Sequence, residues 1–191
     1  HNPVAAIRAY RMAFDPAADA RLLVHIRFGE LTRLQAETIR HAQGDRPDIV
    51  IVTADLDERA ERALVEQVDC VVSLHRSTAF GTVIAVAAAC GTPIVSTGYS
   101  APLTYLDDGS ALFVPFSLVE RSPRGAVRAE QATEVWAEAD IEAAGRALRV
   151  VVDDPDRVAR MVGNARSVGG HGAQTVGERL RQCLLESDDE L

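Results

Sequence analysis

The chain has 191 residues, 47% hydrophobic and 25% charged, which is enough for one domain with a sizeable core and ordinary for a globular protein. Its net charge of −8 argues against a general nucleic-acid binder, while leaving room for a locally positive site that takes one nucleotide. No run approaches the ~20 apolar residues of a membrane span, and no signal peptide is legible, so a cytoplasmic protein is the default expectation.

In chain order, His1-Asn2-Pro3 reads as a helix start, with Asn2 as N-cap and Pro3 at the first helical position. The helix runs over 3–14, with Val4, Ile7, Tyr10 and Phe14 near one face. A chain that opens on a helix cap reads as cut from a longer one, so a strand is expected just upstream of His1. Asp15-Pro16 breaks the helix, and Arg21 to Phe28 is a β-type run. Residues 30–43 read as a helix with Leu31, Leu34 and Ile39 inward and Gly44 as its stop. Asp48 to Thr53 is a β-branched strand. Asp55 and Glu58 have capping-box spacing for a helix reaching about Val68.

The next stretch, Asp69 to Tyr99, is the most informative: DCVVSLHRSTAFGTVIAVAAACGTPIVSTGY. A strand to Leu74 ends in His75, Arg76 and Ser77. Gly81 then precedes a helix to Cys90, Gly91 stops it, and a strand covers Pro93 to Thr97. A last strand spans Ala111 to Phe116. Five strands alternate with helices and lack a polar alternation, which predicts an α/β fold: a Rossmann-like parallel sheet with helices on both faces. Residues 1–116 form the βα core of a single domain. Residues 117–133 read as a long polar surface loop and 134–191 as C-terminal helices: 141–152 capped by Asp140, 155 to about 168, and roughly 174–185, before an acidic tail. Cys70, Cys90 and Cys183 are too scattered for a disulfide framework or a metal site, and buried thiols are expected.

Parallel sheets bind ligands where strand carboxyl ends meet helix N-terminal amides. His25 and Arg27, then Thr53, then His75, Arg76 and Ser77, then Thr97 all fall at such ends. Arg76 offers a forked donor for a diphosphate, and the amides near Phe80 and Gly81 open a helix. The same residues have plainer readings. A lone His after a strand serves as a hydrogen-bonded structural residue. Arg76 could pair with any of the 28 acidic groups, and the glycines could be punctuation. No GxGxxG follows a strand, no GxSxG stands anywhere, and without a lysine no P-loop is possible.

The central run resembles the signature of group-1, GT4-like (retaining, GT-B, bacterial-type) glycosyltransferases, which reads close to SLHRSEGFGLxxAEAMAxGxPVIAT. The likeness extends along most of the chain: NPVAAIRAYRMAF to a KNP-start helix, RLLVHIR to LVLKxR, ALFVPFSLVE to the strand after the motif, and VWAEADIEAAGRALRVVVDDP to WAEPDxxHAAxxMRxV. The resemblance implies the C-terminal, nucleotide-sugar-binding half of such an enzyme, with an acceptor-binding N-terminal half beyond this chain. It implies a UDP- or GDP-sugar substrate, hexosyl transfer without a metal or other cofactor, and no nucleic-acid partner. It also implies donor contacts from His75, Arg76, Ser77, Thr78, Ala79, Phe80, Gly81, Val86, His25, Arg27 and Thr97. Two family glutamates, one on the donor sugar and one on the ribose hydroxyls, correspond here to Thr78 and Val86. Ala79 replaces a glycine, and His25 and His1 stand where Lys is common. The departures leave a second expectation open: a non-catalytic binding or scaffold domain descended from the same fold.

Overall fold

The computed structural model describes residues 2–26, 31–121 and 134–167. Helix α1 (Pro3–Ala13) starts as expected, the Asn2 side chain accepting from the Ala5 amide with Pro3 in the first turn. Then follow β1 (Leu22–Ile26), α2 (Arg33–Gln43), β2 (Ile49–Thr53), α3 (Glu58–Gln67), β3 (Val71–Ser73), α4 (Thr82–Cys90), β4 (Ile94–Thr97), a 3-10 turn (Ala101–Thr104), β5 (Leu112–Val114), β6 (Phe116–Arg121), β7 (Glu134–Ala139) and α5 (Ile141–Asp153). A further helix, α6, covers 155–167. The helix expected at 174–185, the acidic tail, Cys183, His1 and Arg27 lie outside the described residues.

Strands β1 to β5 are all parallel to their partners, in two ladders: β1 with β2, and β3 with β4 with β5. Along β3 to β5, neighbouring residues enter different cores. Val72, Leu74, Val95, Leu112 and Val114 join α1, α2 and α5 around Ile7, Tyr10, Ile39 and Leu148. Val71, Ile94, Ala111 and Phe113 join α3 and α4 around Val65, Ile84 and Ala87. Successive strand side chains point to opposite faces, so this split places α1, α2 and α5 on one face and α3 and α4 on the other. The expected Rossmann-like α/β architecture is therefore present. Gly145 lets α5 close on α1: a Cβ there would stand 3.3 Å from the Ala9 carbonyl oxygen.

Several sequence expectations change. Seven strands occur among the described residues rather than five. Pro115 ends β5, and the chain then turns into β6, so the start of the expected 117–133 loop is strand; it pairs antiparallel with β7, where Trp136 faces Val119. Alternation in ALFVPFSLVE could not separate two short strands from one. Helix α3 is capped by Asp57, which accepts from the Ala60 amide, and not by Asp55. Helix α2 carries a Thr32/Gln35 capping box, and Leu34, expected inward, is 61% exposed because only one stripe of this polar helix meets the core. Cys70 and Cys90 are free and half-buried; burial pushes the Cys70 thiol up to about 12.

One buried polar joint ties α1 to β2. The Arg46 guanidinium donates to Asp48 at 2.6 Å and to the Phe14 carbonyl at 2.9 Å, while the Tyr10 hydroxyl donates to Asp48 Oδ2 at 2.8 Å. The hydrogen bond from Arg46, acting against burial and aided by Tyr10, holds the Asp48 carboxyl well below the usual carboxylate range. A depressed carboxyl stabilises the fold above its unfolded value of about 4 and loses that contribution as pH falls further. Asp48→Asn should therefore be less stable than the parent at neutral pH, with the difference shrinking below about pH 4 in denaturant titrations. Ile7 is fully buried between the helices and the sheet, so Ile7→Ala should cost about 2–5 kcal/mol in the same assay.

Candidate functional site

The carboxyl ends of β3 and β4 open toward the N-terminus of α4. Gly81 caps that helix with a left-handed backbone (φ 78°), and no side chain satisfies the first-turn amides. The left-handed turn is natural for glycine, and a Cβ would meet the Tyr105 hydroxyl at 3.1 Å. That hydroxyl donates to the Phe80 carbonyl at 2.8 Å, and the Tyr105 ring lies 5.5 Å from the Phe80 ring. Phe80 and Leu103 are 58% and 49% exposed. The exposed residues Ser77 and Ala79 lie on the same loop, with Thr78 half-buried.

Opposite this loop, Ser100 holds φ 70°, a conformation that costs a residue bearing a Cβ roughly 1–3 kcal/mol. Its hydroxyl donates to the Thr78 carbonyl at 2.7 Å, tying the loop after β4 to the loop after β3. Thr97, at the end of β4, is fully buried, and its Oγ1 has no hydrogen-bond partner.

His75 is 1% exposed. Its Nε2 lies 2.9 Å from the Tyr99 carbonyl, which can only accept, so Nε2 carries the proton. Its Nδ1 lies 3.2 Å from both the hydroxyl and the carbonyl oxygen of Ser73. The ring thus pins the end of β3 to the segment after β4, and both nitrogens are engaged within the protein. His25 is engaged likewise, its Nε2 donating to the Ala54 carbonyl at 2.8 Å.

Arg76 is clamped by a carboxylate the sequence did not single out. Its Nε and Nη2 donate to Glu138 on β7 at 2.6 and 3.1 Å, and its guanidinium lies 4.4 Å from the Trp136 ring centroid. Asn2 also donates to Glu138 at 3.0 Å, and the Ala137 amide donates to the Arg76 carbonyl at 3.0 Å. The start of α1, the loop after β3 and strand β7 therefore meet at one point. Burial acts to raise the Glu138 pKa, but Arg76, with help from Asn2 and Arg8, leaves it below the ordinary value. Signals for this pair existed in the sequence, an unmatched Arg after a strand and WAEAD 60 residues on, but nothing local connects them.

Val86 is half-buried and packs on the cluster around Ile84 and Val65, not on the strand ends alone. The structure brings Ser77, Thr78, Phe80, Gly81 and Thr97 to one end of the sheet, and gives His25, His75 and Arg76 internal partners. Among the described residues no group of three His, Cys, Asp or Glu side chains could hold a metal ion. A shallow groove lined by Met12, Gly145 and Arg149 lies between α1 and α5, away from this chemistry.

No family model and no curated protein matches the chain. Solved structures do. Anabaena Alr3699/HepE in complex with UDP and glucose superposes with a TM-score of 0.66 at 16% identity, over 97% of this chain and 44% of that one. Sucrose-phosphate synthase from Thermosynechococcus elongatus gives 0.65 at 19% identity, over 97% and 43%. HepE in complex with UDP-glucose gives 0.65 at 12%, over 95% and 46%. This chain has the fold of a GT-B glycosyltransferase half. It spans less than half the length of each of these structures. No described helix is long and apolar enough to cross a membrane.

Two outcomes test this geometry. In a double-mutant cycle, Arg76→Ala and Glu138→Ala should show a coupling of about 1 kcal/mol at pH 7, since each partner is about one-third exposed. The coupling should fade below about pH 4, because a depressed carboxyl loses its advantage once protonated in both states. Ser100→Gly gives up a hydrogen bond but relieves the backbone, whereas Ser100→Ala gives up the bond and keeps the strain. The alanine variant should be the less stable by about 1 kcal/mol in thermal unfolding.

Proposed function

We propose that this chain is the C-terminal, donor-binding half of a group-1 glycosyltransferase, taking a UDP- or GDP-sugar for hexosyl transfer with retention. The carrying observation is the open N-terminus of α4, with its glycine cap and uncapped amides at the strand ends, in a fold shared with proteins solved with UDP or UDP-glucose. Those amides suit a diphosphate. The exposed Phe80 ring offers a face for a base, and the Thr97 hydroxyl, buried without a partner, offers a hydrogen bond to a ligand group. No metal takes part in this reading. The acceptor binds to the other half of the enzyme.

A second reading has its own support. Thr78 and Val86 stand where the resemblance places two carboxylates, Val86 packs on an apolar cluster, and Arg76 is committed to Glu138. A site without its anionic anchors suits a non-catalytic binding domain of the same descent. Calorimetric titration with UDP and GDP separates the two. Binding that is strengthened by Thr78→Glu supports the donor site; no binding by the parent or by Thr78→Glu overturns it and leaves the scaffold reading. By itself the 191-residue chain should transfer no sugar.

Thr97→Val is the sharper probe. In the free protein it removes a buried hydroxyl that makes no hydrogen bond, so stability should hold or rise by about 1 kcal/mol. UDP affinity should nevertheless fall about 5- to 10-fold, the worth of one hydrogen bond.

A further inference from the structure

We propose that Tyr105 is a positioning residue for the site at the head of α4: by holding the Phe80 carbonyl, it turns the Gly81 amide outward as a donor to a ligand phosphate. The inference rests on the reading that this end of the sheet takes a nucleoside diphosphate. It adds the side chain that shapes the site and the backbone group that side chain presents.

The loop between β3 and α4 hangs by alternate carbonyls. The Arg76 carbonyl accepts from the Ala137 amide of β7 at 3.0 Å, the Thr78 carbonyl from the Ser100 hydroxyl at 2.7 Å, and the Phe80 carbonyl from the Tyr105 hydroxyl at 2.8 Å. No described peptide bond is cis, and in a trans peptide the carbonyl and the following N–H point in opposite directions. The amides of Ser77, Ala79 and Gly81 are therefore turned away from the three anchors. None of them has an acceptor among the described residues.

Gly81 differs from the other two. Ser77 and Ala79 are exposed, so water satisfies their amides, whereas Gly81 is buried. A buried backbone donor without a partner is rare in a folded protein. The inner side of Gly81 is closed: the Tyr105 hydroxyl, Ile84 Cδ1 and Pro102 Cγ would stand 3.1 to 3.4 Å from a Cβ. The next carbonyl, that of Gly81, points down the helix to the Ile84 and Ala85 amides at 2.9 and 3.0 Å, so the Thr82 amide faces out of the helix head. Gly81, Thr82 and Val83 thus supply three consecutive unpaired amides at the positive end of α4. The Thr97 hydroxyl, fully buried and without a partner at the same end of the sheet, is an independent mark of a missing ligand group.

The Tyr105 bond is not needed for burial. Phe80 is an exposed residue whose carbonyl solvent would satisfy, so what the bond adds is direction. The hydroxyl is itself held from behind. Tyr105 follows the 3-10 turn, whose Pro102 is fully buried, and precedes Leu106, which sits in the core under α3 and α4. Burial pushes the Tyr105 pKa up to about 12, so the group stays a donor across the physiological range.

The test sets Tyr105→Phe, which keeps the ring and removes the hydroxyl, beside the parent chain. In calorimetry, affinity for UDP and for pyrophosphate should fall about 5- to 10-fold, the worth of one hydrogen bond, while uridine, which carries no phosphate, loses nothing. In amide NMR spectra of the parent, pyrophosphate should move the Gly81 resonance together with those of Thr82 and Val83. In the variant the Gly81 movement should shrink. A purely structural role would weaken uridine and UDP alike, and that result overturns the proposal. Unchanged affinity in the variant, or a Gly81 resonance that pyrophosphate leaves in place, overturns it too; a parent that still binds UDP then keeps the donor reading. A parent that binds neither UDP nor pyrophosphate overturns the donor reading and this proposal together. If Tyr105→Phe does not fold, the Gly81 resonance of the parent decides by the same criterion.

Discussion

A strand inside a parallel sheet must bury two faces and pair two edges. In this chain the faces are satisfied within the described residues: neighbouring side chains on β3, β4 and β5 divide between two cores, and helices cover both. The edges are satisfied only in part, because the ladder breaks between β1 and β3. The rest of the architecture follows from how the helices are distributed over the faces. That distribution sets the direction of each crossover, hence the order of the strands, hence the end of the sheet where loops from different strands converge.

At that end the protein spends much of its polarity on itself. His75 joins the end of β3 to the segment after β4 through Nε2, His25 joins two other strand ends, and Arg76 is forked onto Glu138 over the Trp136 ring. What stays uncommitted is mostly backbone: the Thr82 and Val83 amides at the head of α4, and one buried hydroxyl on Thr97. On the proposed reading, an anion there is recognised by geometry and dipole rather than by side-chain charge. This fits a chain of net charge −8, in which a free surface arginine would readily find a carboxylate.

The fold was legible because two-faced strands and capped helices leave local marks. IVIVT, the Asn2-Pro3 start, the Asp140 cap and the Gly91 stop each carry their structural consequence within a few residues. The β6–β7 pair was not legible: its register joins Phe116 to Ala139 across a polar stretch, and a pairing with that separation writes no periodicity into either strand. The same distance hid the Arg76–Glu138 clamp. The α3 cap was missed by two residues because Asp55 and Asp57 both precede the helix, and only backbone geometry selects between them.

Helix α4 shows how the two kinds of information meet. TVIAVAAAC has no charged residue on any face, and an all-apolar helix must be enclosed. Its inner face packs Ile84, Ala87 and Ala88, and Val83, Val86 and Cys90 extend the same cluster sideways toward α3 and α6. A carboxylate at 86 would stand partly in that cluster, where only a ligand hydroxyl or a cation could compensate its desolvation. Valine there stabilises the packing and removes any such requirement. Val86 therefore leaves an interior that is complete without a ligand, and on the proposed reading the amides at the head of the helix are the feature that holds a phosphate.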